Sequence, residues 1–291
     1  MGTLLDATLA LSFSGWAIIL SLSMLNYLFR FWRWQLYLNR WDYEIPVRLS
    51  IVYYFSGFAL TTSPGKVGEA IRSIFLKRHG VEYRRSIAAV FVERYLDIVV
   101  IAVLATLSIT LLDIGVLPIA ITLGLAIATL PIIRSDSLRQ RLKSADFHRK
   151  KGLVSQVVDR LVSLLEASSE IMSRRLLYVG FSIGLLGWIS EGVALWVIFQ
   201  YLSIDVQILP AIGIYAAASL VGAISFVPGG LGTTEAVMIL LLTSAGADTP
   251  IAIAATIISR IATLWFAVVL GGICLFWAST NKSIGRPHDQ S

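Results

Sequence analysis

Cysteine, histidine and charged residues are all scarce in this chain. It has 291 residues with one cysteine, Cys274, three histidines and only 14% charged residues. A single cysteine excludes an internal disulfide, and the histidines are scattered through polar segments, so we predict no metal site. The chain is 56% hydrophobic with a mean hydropathy of +0.77. This balance excludes a soluble globule and predicts an integral membrane protein.

Several apolar runs approach the ~20 residues that a membrane-spanning helix needs. No run shows the alternating pattern of membrane strands. The sequence therefore predicts an all-α integral membrane fold with about five full transmembrane spans. The runs cover residues 10–29, 86–111, 114–133, 176–202 and 249–278.

Basic residues are confined to alternate connections between these runs. Arg30, Arg33, Arg40 and Arg48 follow the first run, and another basic cluster joins the third run to the fourth. The complementary segments carry acidic residues without lysine or arginine: Asp6, Asp113, Asp205 and Asp248. The positive-inside rule then predicts a multi-pass protein of the cytoplasmic (inner) membrane, with the N-terminus outside and the C-terminus in the cytoplasm. The net charge of +6 thus records orientation, and we expect no nucleic-acid partner.

Two parts of the sequence repeat one another in the same order. The offset between partners is 164 residues before an insertion at Thr233-Thr234 and 166 residues after it. Such a duplication within apolar sequence predicts two equivalent membrane units. The matching positions are Pro46, Pro64-Gly65, Gly68, Glu69-Ala70, Gly80 and Arg94 in the first copy, and Pro210, Pro228-Gly229, Gly232, Glu235-Ala236, Gly246 and Arg260 in the second.

The duplicated segments are predicted to enter the membrane and turn back. Basic clusters flank residues 47–79 on both sides, whereas the segment around 210–245 has no basic flank. Two re-entrant helical hairpins of opposite orientation, an inverted-topology repeat, account for both patterns. The predicted organisation is a single transmembrane domain over 1–278, with repeat one at about 13–111, a connector span at 114–133, a cytoplasmic amphipathic segment at 134–175, repeat two at about 176–278, and a polar cytoplasmic tail at 279–291.

Each hairpin turn is predicted to begin a half-helix whose N-terminus attracts anions near the membrane centre. Lys66 and Arg72 add positive charge to the first turn. Gly68 and Gly232 allow close approach of a ligand or a facing helix. Ser63 is a candidate N-cap for the first half-helix, and Thr233 or Thr234 for the second. The predicted substrate-binding residues are Lys66, Arg72, Arg94, Arg260, Gly68, Gly232, Thr233 and Thr234.

Arg94 and Arg260 each lie about ten residues into a span, near its middle. A guanidinium group there requires a partner or water. The carboxylates available are Glu69, Glu93, Asp97, Glu191 and Glu235, which we assign to charge balance or ion coupling. Two interpretations stay open. Pairs of Arg94 with Glu69 and Arg260 with Glu235 either only clamp the hairpins, or clamp them and also line a polar substrate path.

The sequence has no pattern typical of catalysis or of a cofactor site. Gly229-Gly230-Leu231-Gly232 follows no strand and precedes no Walker Lys-Ser/Thr, and no Ser–His–Asp set is evident. We therefore expect no enzymatic activity and no cofactor.

The segment from Ser63-Pro64-Gly65 through Gly68-Glu69, Arg72 and Glu93-Arg94 to Asp97 resembles the signature of the lysylphosphatidylglycerol synthase transmembrane-region family, also called the flippase-like domain. Val227 to Ala236 resembles the second signature of that family. The resemblance implies a bacterial or archaeal polytopic protein. In fused members this domain moves aminoacylated phosphatidylglycerol between leaflets, and stand-alone members are linked to lipid-linked glycan pathways.

Two departures from the family pattern shape what is expected. Only a short tail follows the last span, so synthase activity is not expected. Family members commonly have a span before the one with the Arg33-Trp34 pattern, and this chain is expected to begin after it.

The predicted function is that of a lipid flippase or scramblase, which moves an anionic phospholipid or a polyprenyl-phosphate-linked headgroup between leaflets. One alternative is a non-transporting membrane subunit that supports a lipid-modifying or glycosylation enzyme, and another is a small-anion channel. Expected partners are anionic membrane lipids, with a second copy of the chain and a lipid-modifying enzyme as candidate protein partners.

Overall fold

The computed structural model describes residues 11–112, 117–137, 140–141 and 153–280. Every regular element within these ranges is helical, and they contain no strand. The expected all-helical fold is therefore confirmed for the described part of the chain. The predicted outer acidic residues Asp6 and Asp113, much of the basic loop before residue 153, and the tail from residue 281 onwards lie outside the described residues.

The first half of the chain forms two long helices with a helical hairpin between them. Its elements are α1 (Phe13–Arg40), α2 (Val47–Ser56) continued by a 3₁₀ turn (Gly57–Leu60), a 3₁₀ stretch (Pro64–Ile71) that leads into α3 (Arg72–Lys77), and α4 (Tyr83–Leu112). The hairpin is formed by α2, the two 3₁₀ segments and α3, and a turn at Thr61–Ser63 joins its two arms.

The second half repeats this arrangement after two intervening helices. The intervening helices are α5 (Leu117–Arg134) and α6 (Leu153–Ile171). They are followed by α7 (Arg174–Tyr201), α8 (Ile208–Ile224), a 3₁₀ turn (Pro228–Gly230), α9 (Thr233–Ser244), α10 (Thr249–Arg260), a π-helical turn (Ile261–Trp265) and α11 (Phe266–Thr280). The second hairpin consists of α8 and α9, and α10 to α11 form one continuous helix.

Helix contacts join the two halves at several places. The first helices of the two halves, α1 and α7, pack along each other. The arm α8 of the second hairpin packs on α4, and the arm α2 of the first hairpin packs with its 3₁₀ turn on α11. Each hairpin therefore leans on the last helix of the other half.

The two hairpin turns contact each other. A Cβ atom built on Gly229 would lie 3.3 Å from Cγ2 and 3.4 Å from Cα of Thr62. Gly229 also has φ = +63°, a left-handed conformation that favours glycine. Glycine at this position thus permits both the left-handed backbone and the close approach of the other turn.

The starts of the returning arms differ from the prediction. The first arm begins as a 3₁₀ stretch with the Ser63 hydroxyl accepting a hydrogen bond from the Gly68 N–H at 2.6 Å, so an α-helical N-terminus is absent at this turn. In the second arm Gly232 precedes α9, and Glu235 accepts the Gly232 N–H at 2.7 Å. The Thr233 hydroxyl instead donates to the Gly230 carbonyl at 3.1 Å. Threonine capping is therefore wrong here, because Glu235 reaches back from the first turn.

Exposed apolar faces are wide. On α11, Val269, Ile273 and Phe276 follow one another at helical spacing and are 60%, 63% and 72% exposed. Faces of this kind are stable in lipid and aggregate in water. Among the described helices, Arg174–Tyr201 and Thr249–Thr280 are long and apolar enough to cross a membrane by length and composition. The helices α1 and α4 have 28 and 30 residues; charged side chains lie in the C-terminal half of α1 and in the N-terminal half of α4.

The amphipathic helix α6 uses its apolar side for packing. Ala167 and Ile171 are buried, and Leu164 and Leu165 pack against the same core. The indole of Trp41 donates a hydrogen bond to Glu170 at 2.5 Å. The part of the predicted amphipathic segment that the structure describes therefore docks on the ends of α1, α4 and α5, with Val157 and Leu161 left exposed.

Candidate functional site

Helix α1 contributes a buried polar stripe. Asn26, Arg30, Arg33 and Tyr37 follow one another at spacings of four, three and four residues and are all buried. They face glycines of α7, since a Cβ on Gly184 would lie only 2.8 Å from Nη1 of Arg33. The missing side chains of α7 let the two helices approach closely around these polar groups.

Two arginines and two carboxylates form a closed ring beside this stripe. Nη2 of Arg30 lies 3.8 Å from Oε2 of Glu69 and 3.9 Å from Oδ2 of Asp97. Nη2 of Arg94 lies 3.6 Å and 3.1 Å from the same two oxygens. The ring joins α1, the first hairpin and α4, so it fixes the hairpin against both long helices.

Asp97 has further partners outside the ring. Its Oδ1 accepts hydrogen bonds from Nη2 of Arg33 at 2.7 Å and from the indole nitrogen of Trp188 at 3.2 Å. The side chain of Arg33 is fully buried. Removal of one member of such a pair strongly destabilises the protein, because the other charge stays buried without a partner.

Arg72 lies in a separate, enclosed pair. It donates to Glu93, and Glu93 also accepts the hydroxyl of Tyr54 at 3.2 Å. The guanidinium carbon lies 3.9 Å from the ring centre of Trp34 and 4.7 Å from that of Tyr54. Ion pairing and cation–π contacts hold Arg72 inside the protein.

Arg260 is held by the second hairpin. Its Nε donates to Oε1 of Glu235 at 2.5 Å, and its Nη2 donates to the carbonyl of Gly229 at 2.6 Å. The pairs expected from the sequence, Arg94 with Glu69 and Arg260 with Glu235, are therefore both present. They occupy equivalent positions of the duplication.

A π-helical turn directly follows Arg260. Within it, the carbonyl oxygen of Thr263 accepts a hydrogen bond from the Tyr27 hydroxyl of α1. Single π turns inside α-helices are frequent at functional sites. The π-helical turn therefore contacts α1.

A cavity of about 310 Å³ lies where the two hairpin turns meet. Three arginines line it, namely Arg30, Arg94 and Arg260. Its acidic lining residues are Asp97 and Glu191, and Oε2 of Glu191 accepts the Ser23 hydroxyl at 3.2 Å. Both turns contribute to the wall through Thr61 and Ser63 on one side and Phe226, Val227, Gly229 and Gly230 on the other.

The predicted site residues separate into three groups. Arg94, Arg260, Thr234, Asp97 and Glu191 line the cavity. Arg72, Glu69, Glu93 and Glu235 lie behind the lining and bind its arginines or one another. Gly68, Gly232 and Thr233 are outside the lining; a Cβ on Gly68 would meet Cβ of Leu60 at 2.5 Å, so this glycine serves packing of the turn. The side chain of Lys66 lies outside the described residues.

Arg30 and Arg33 do not follow the end of the first helix, although their position after the apolar run 10–29 predicted this. Helix α1 instead continues to Arg40, and Trp34 in the same segment is also buried. The helical spacing of Asn26, Arg30 and Arg33 was the available signal, because a boundary needs no polar stripe on one face.

Among the side chains that the structure describes, the site has equal numbers of arginines and carboxylates. The five arginines Arg30, Arg33, Arg72, Arg94 and Arg260 stand against Glu69, Glu93, Asp97, Glu191 and Glu235. Attraction of an anion therefore depends on guanidinium N–H groups that are not already used, more than on net charge.

An all-helical fold with wide exposed apolar faces and a buried cluster of ion pairs is typical of a multi-pass membrane protein. The model of the family described as lysylphosphatidylglycerol synthase TM region matches residues 1–271, and the chain belongs to this family.

Relatives in archaea are named UPF0104 membrane proteins. One from Methanothermobacter thermautotrophicus is 28% identical over 116 residues, which make up 39% of this chain and 34% of that relative. A match in the same organism is 26% identical over 298 residues and covers 92% of this chain and 83% of the relative. The protein PH1989 of Pyrococcus horikoshii is 25% identical over 268 residues and covers 83% and 80%. In the first match the chain spans about a third of the relative's length.

Proposed function

We propose that the protein moves a phosphate-bearing membrane lipid between the two leaflets of the cytoplasmic membrane. The substrate class is an anionic phospholipid or a polyprenyl-phosphate-linked headgroup. The observation that carries the proposal is the cavity between the two hairpin turns, with arginines from both halves in its wall. Guanidinium groups bind phosphate oxygens well because their N–H donors match the spacing of those oxygens.

The size of the cavity favours a headgroup as its occupant. At about 310 Å³ it is near the lower end of the ~300–1,000 Å³ found for small-molecule sites. Such a volume accommodates a headgroup and leaves the acyl chains in lipid. Only the polar headgroup would then need to cross through the protein. The headgroup is the part of the lipid whose passage through the hydrocarbon core costs most.

The proposed architecture is an inverted repeat with two re-entrant hairpins and about five spans. Two features support it. Equivalent ion pairs recur as Arg94–Glu69 and Arg260–Glu235. In addition, each hairpin packs on the last helix of the other half while α1 packs on α7, which is the pattern of two units related by a two-fold axis. The orientation proposed from the basic residues has the N-terminus outside and the C-terminus in the cytoplasm.

The roles of the residues follow from their contacts. Arginines in the cavity wall make it electropositive towards the phosphate, and the carboxylates behind them keep the guanidinium groups in place. Asp97 and Glu191, which also line the wall, balance charge or couple transport to an ion. No chemical step is proposed. Flippase and scramblase modes use the same site and differ in whether movement is coupled to an energy source.

The test is lipid movement in liposomes that contain the purified full chain. Fluorescent phosphatidylglycerol in the inner leaflet should become accessible to an external quencher at a higher rate than in protein-free liposomes. Arg94→Gln should reduce that rate by about tenfold or more, since a charged hydrogen bond to the headgroup is lost. Arg84→Gln is the matched control, because Arg84 is exposed and pairs with Glu82 outside the cavity.

Two results would contradict the proposal. Unchanged movement in Arg94→Gln removes the arginine mechanism. If the wild-type chain moves no anionic lipid, transport itself is rejected and the non-transporting subunit is favoured, whereas ion flux without lipid exchange favours an anion channel.

A further inference from the structure

The two arginines that the duplication makes equivalent are bound in different ways. Arg260 uses Nε for Glu235 at 2.5 Å and Nη2 for the Gly229 carbonyl at 2.6 Å, both with hydrogen-bond geometry. Both acceptors belong to the second hairpin. Nε and Nη2 of Arg260 thus both donate to the second hairpin and hold it in place.

Arg94 has ion-pair contacts of a different quality. Its Nη2 lies 3.6 Å from Glu69 and 3.1 Å from Asp97, and neither contact meets hydrogen-bond geometry. Its Nε and Nη2 atoms are buried without a hydrogen-bond acceptor among the residues that the structure describes. Arg94 also lines the cavity.

Arg30 shares this property from the opposite helix. Its side chain is 7% exposed, and its Nη2 lies 3.8 Å from Glu69 and 3.9 Å from Asp97. Nε and Nη2 of Arg30 are likewise buried without a hydrogen-bond acceptor in the described part of the chain. Buried donors carry a desolvation cost unless a ligand or another group accepts from them.

The other arginines of the cluster do not face the cavity in this way. Arg33 donates to Asp97 at 2.7 Å, and Arg72 donates to Glu93 between two aromatic rings; both are absent from the described cavity lining. Among the arginines of the described cavity lining, Arg30 on α1 and Arg94 on α4 are therefore the two whose Nε and Nη2 have no hydrogen-bond acceptor in the described part of the chain.

We infer that Arg30 and Arg94 form the phosphate subsite, whereas Arg260 is a structural clamp. The inference rests on the proposed function and gives the equivalent arginines of the two halves different roles. A phosphodiester has two non-bridging oxygens, one for each guanidinium group. Glu69 and Asp97 hold the two arginines side by side at ion-pair distance.

The experiment compares Arg30→Gln, Arg94→Gln and Arg260→Gln in the purified full chain. Binding of dihexanoyl phosphatidylglycerol and of inorganic phosphate is measured separately by tryptophan fluorescence, since Trp188 lines the cavity. Dihexanoyl glycerol is the control without a phosphate. Ligand-free thermal unfolding is measured in parallel.

Arg30→Gln and Arg94→Gln should each weaken binding of the phosphate-bearing probe by about tenfold or more. Arg260→Gln should lower the ligand-free unfolding temperature and change the affinity by less than about threefold. Arg30→Lys keeps the charge and loses the planar fork, so intermediate affinity is expected if Arg30→Gln fails to fold. Binding of free phosphate with this pattern identifies phosphate itself as the ligand, and binding of the lipid alone identifies the lipid headgroup; either supports the subsite.

The inference is overturned if Arg30→Gln, or Arg30→Lys in its place, binds as tightly as the wild type. Equal losses of affinity in Arg260→Gln and Arg94→Gln would overturn it as well, as would a wild-type chain that binds neither of the two phosphate-bearing probes. The liposome assay keeps the two proposals apart. A wild-type chain that binds with the expected pattern but moves no lipid retains the subsite and loses the transport function.

Discussion

Gly229 packs against Thr62, and through this contact the turns of the two hairpins meet. A Cβ atom on Gly229 would lie 3.3 Å from Cγ2 of Thr62, and the backbone of Gly229 has a left-handed conformation. The contact forms one wall of the cavity, since both hairpin turns contribute to its lining. Its integrity can be tested by substitution.

Gly229→Ala should destabilise the protein more than Gly246→Ala does. Both glycines have positive φ, so each substitution strains the backbone by roughly 1–2 kcal/mol. Only the Cβ at position 229 also meets the facing turn, because a Cβ at position 246 has open space around it. Thermal unfolding in detergent measures the difference. Equal shifts for the two variants would mean that the contact between the turns contributes nothing.

Packing of α11 on the first hairpin predicts a sharp contrast between adjacent glycines. A Cβ on Gly271 would lie 2.2 Å from the backbone nitrogen of Ala59, whereas nothing lies within 4 Å of a Cβ on Gly272. Gly271→Ala should cost about 1–3 kcal/mol or more, because backbone must move. Gly272→Ala should leave the unfolding temperature unchanged. A stable Gly271→Ala variant would contradict the packing of the hairpin on α11.

The buried pair of Arg33 and Asp97 predicts a large stability effect. Arg33→Gln leaves Asp97 without its shortest partner, at 2.7 Å, in a fully buried position. Loss of one member of such a pair costs about 3–5 kcal/mol. Arg84→Gln removes an exposed pair with Glu82 and should cost about 0–1 kcal/mol. Denaturant unfolding of both variants in the same detergent makes the comparison, and similar losses would argue against the buried pair.

His79 predicts a pH dependence at the connection between α3 and α4. Burial, and then the positive charge of Arg78, lower the pKa of His79 below its ordinary value. Its Nε2 lies 3.1 Å from the Tyr53 hydroxyl. Because the unfolded chain binds the proton more readily, stability is complete above the unfolded-state pKa of about 6.5 and falls as the pH drops towards the lower folded-state pKa.

The measurement for His79 is thermal unfolding at about pH 7.5 and about pH 5.5, on either side of the ordinary histidine pKa. The wild type should lose stability at the lower pH. His79→Gln should lose less, since it has no proton to gain at this position. An identical pH response in both proteins would assign the effect to another group.

The helices themselves were largely predictable from the sequence. The apolar runs 176–202 and 249–278 correspond to Arg174–Tyr201 and Thr249–Thr280, because helix length and hydrophobicity are local properties. The duplication also located both reversals of the chain and both ion pairs, Arg94–Glu69 and Arg260–Glu235. When an arginine and a glutamate recur at matching positions of two copies, a contact between them is predicted independently in each copy.

The first returning arm shows a limit of local reasoning. Its glycines and Pro64 predicted a turn followed by a half-helix, and the structure has a 3₁₀ stretch from Pro64 to Ile71. The tighter winding accompanies the hydrogen bond from Gly68 to Ser63 and the close approach of Leu60, which are contacts across the turn. Intrinsic preference does not decide between the two forms when such contacts are available.

What the sequence alone determined is the class of the molecule, its helices and the two midspan arginines. Which arginines share a cavity was decided by tertiary structure. Arg30 and Arg33 lie next to aromatic residues that are common at membrane boundaries, and tertiary contacts decide that both are buried. Arg33 packs on glycines of α7, and Arg30 lies near Glu69 and Asp97. Likewise Arg94 and Arg260 are equivalent along the chain but meet different acceptors, because hydrogen-bond geometry depends on how helices pack and not on sequence spacing.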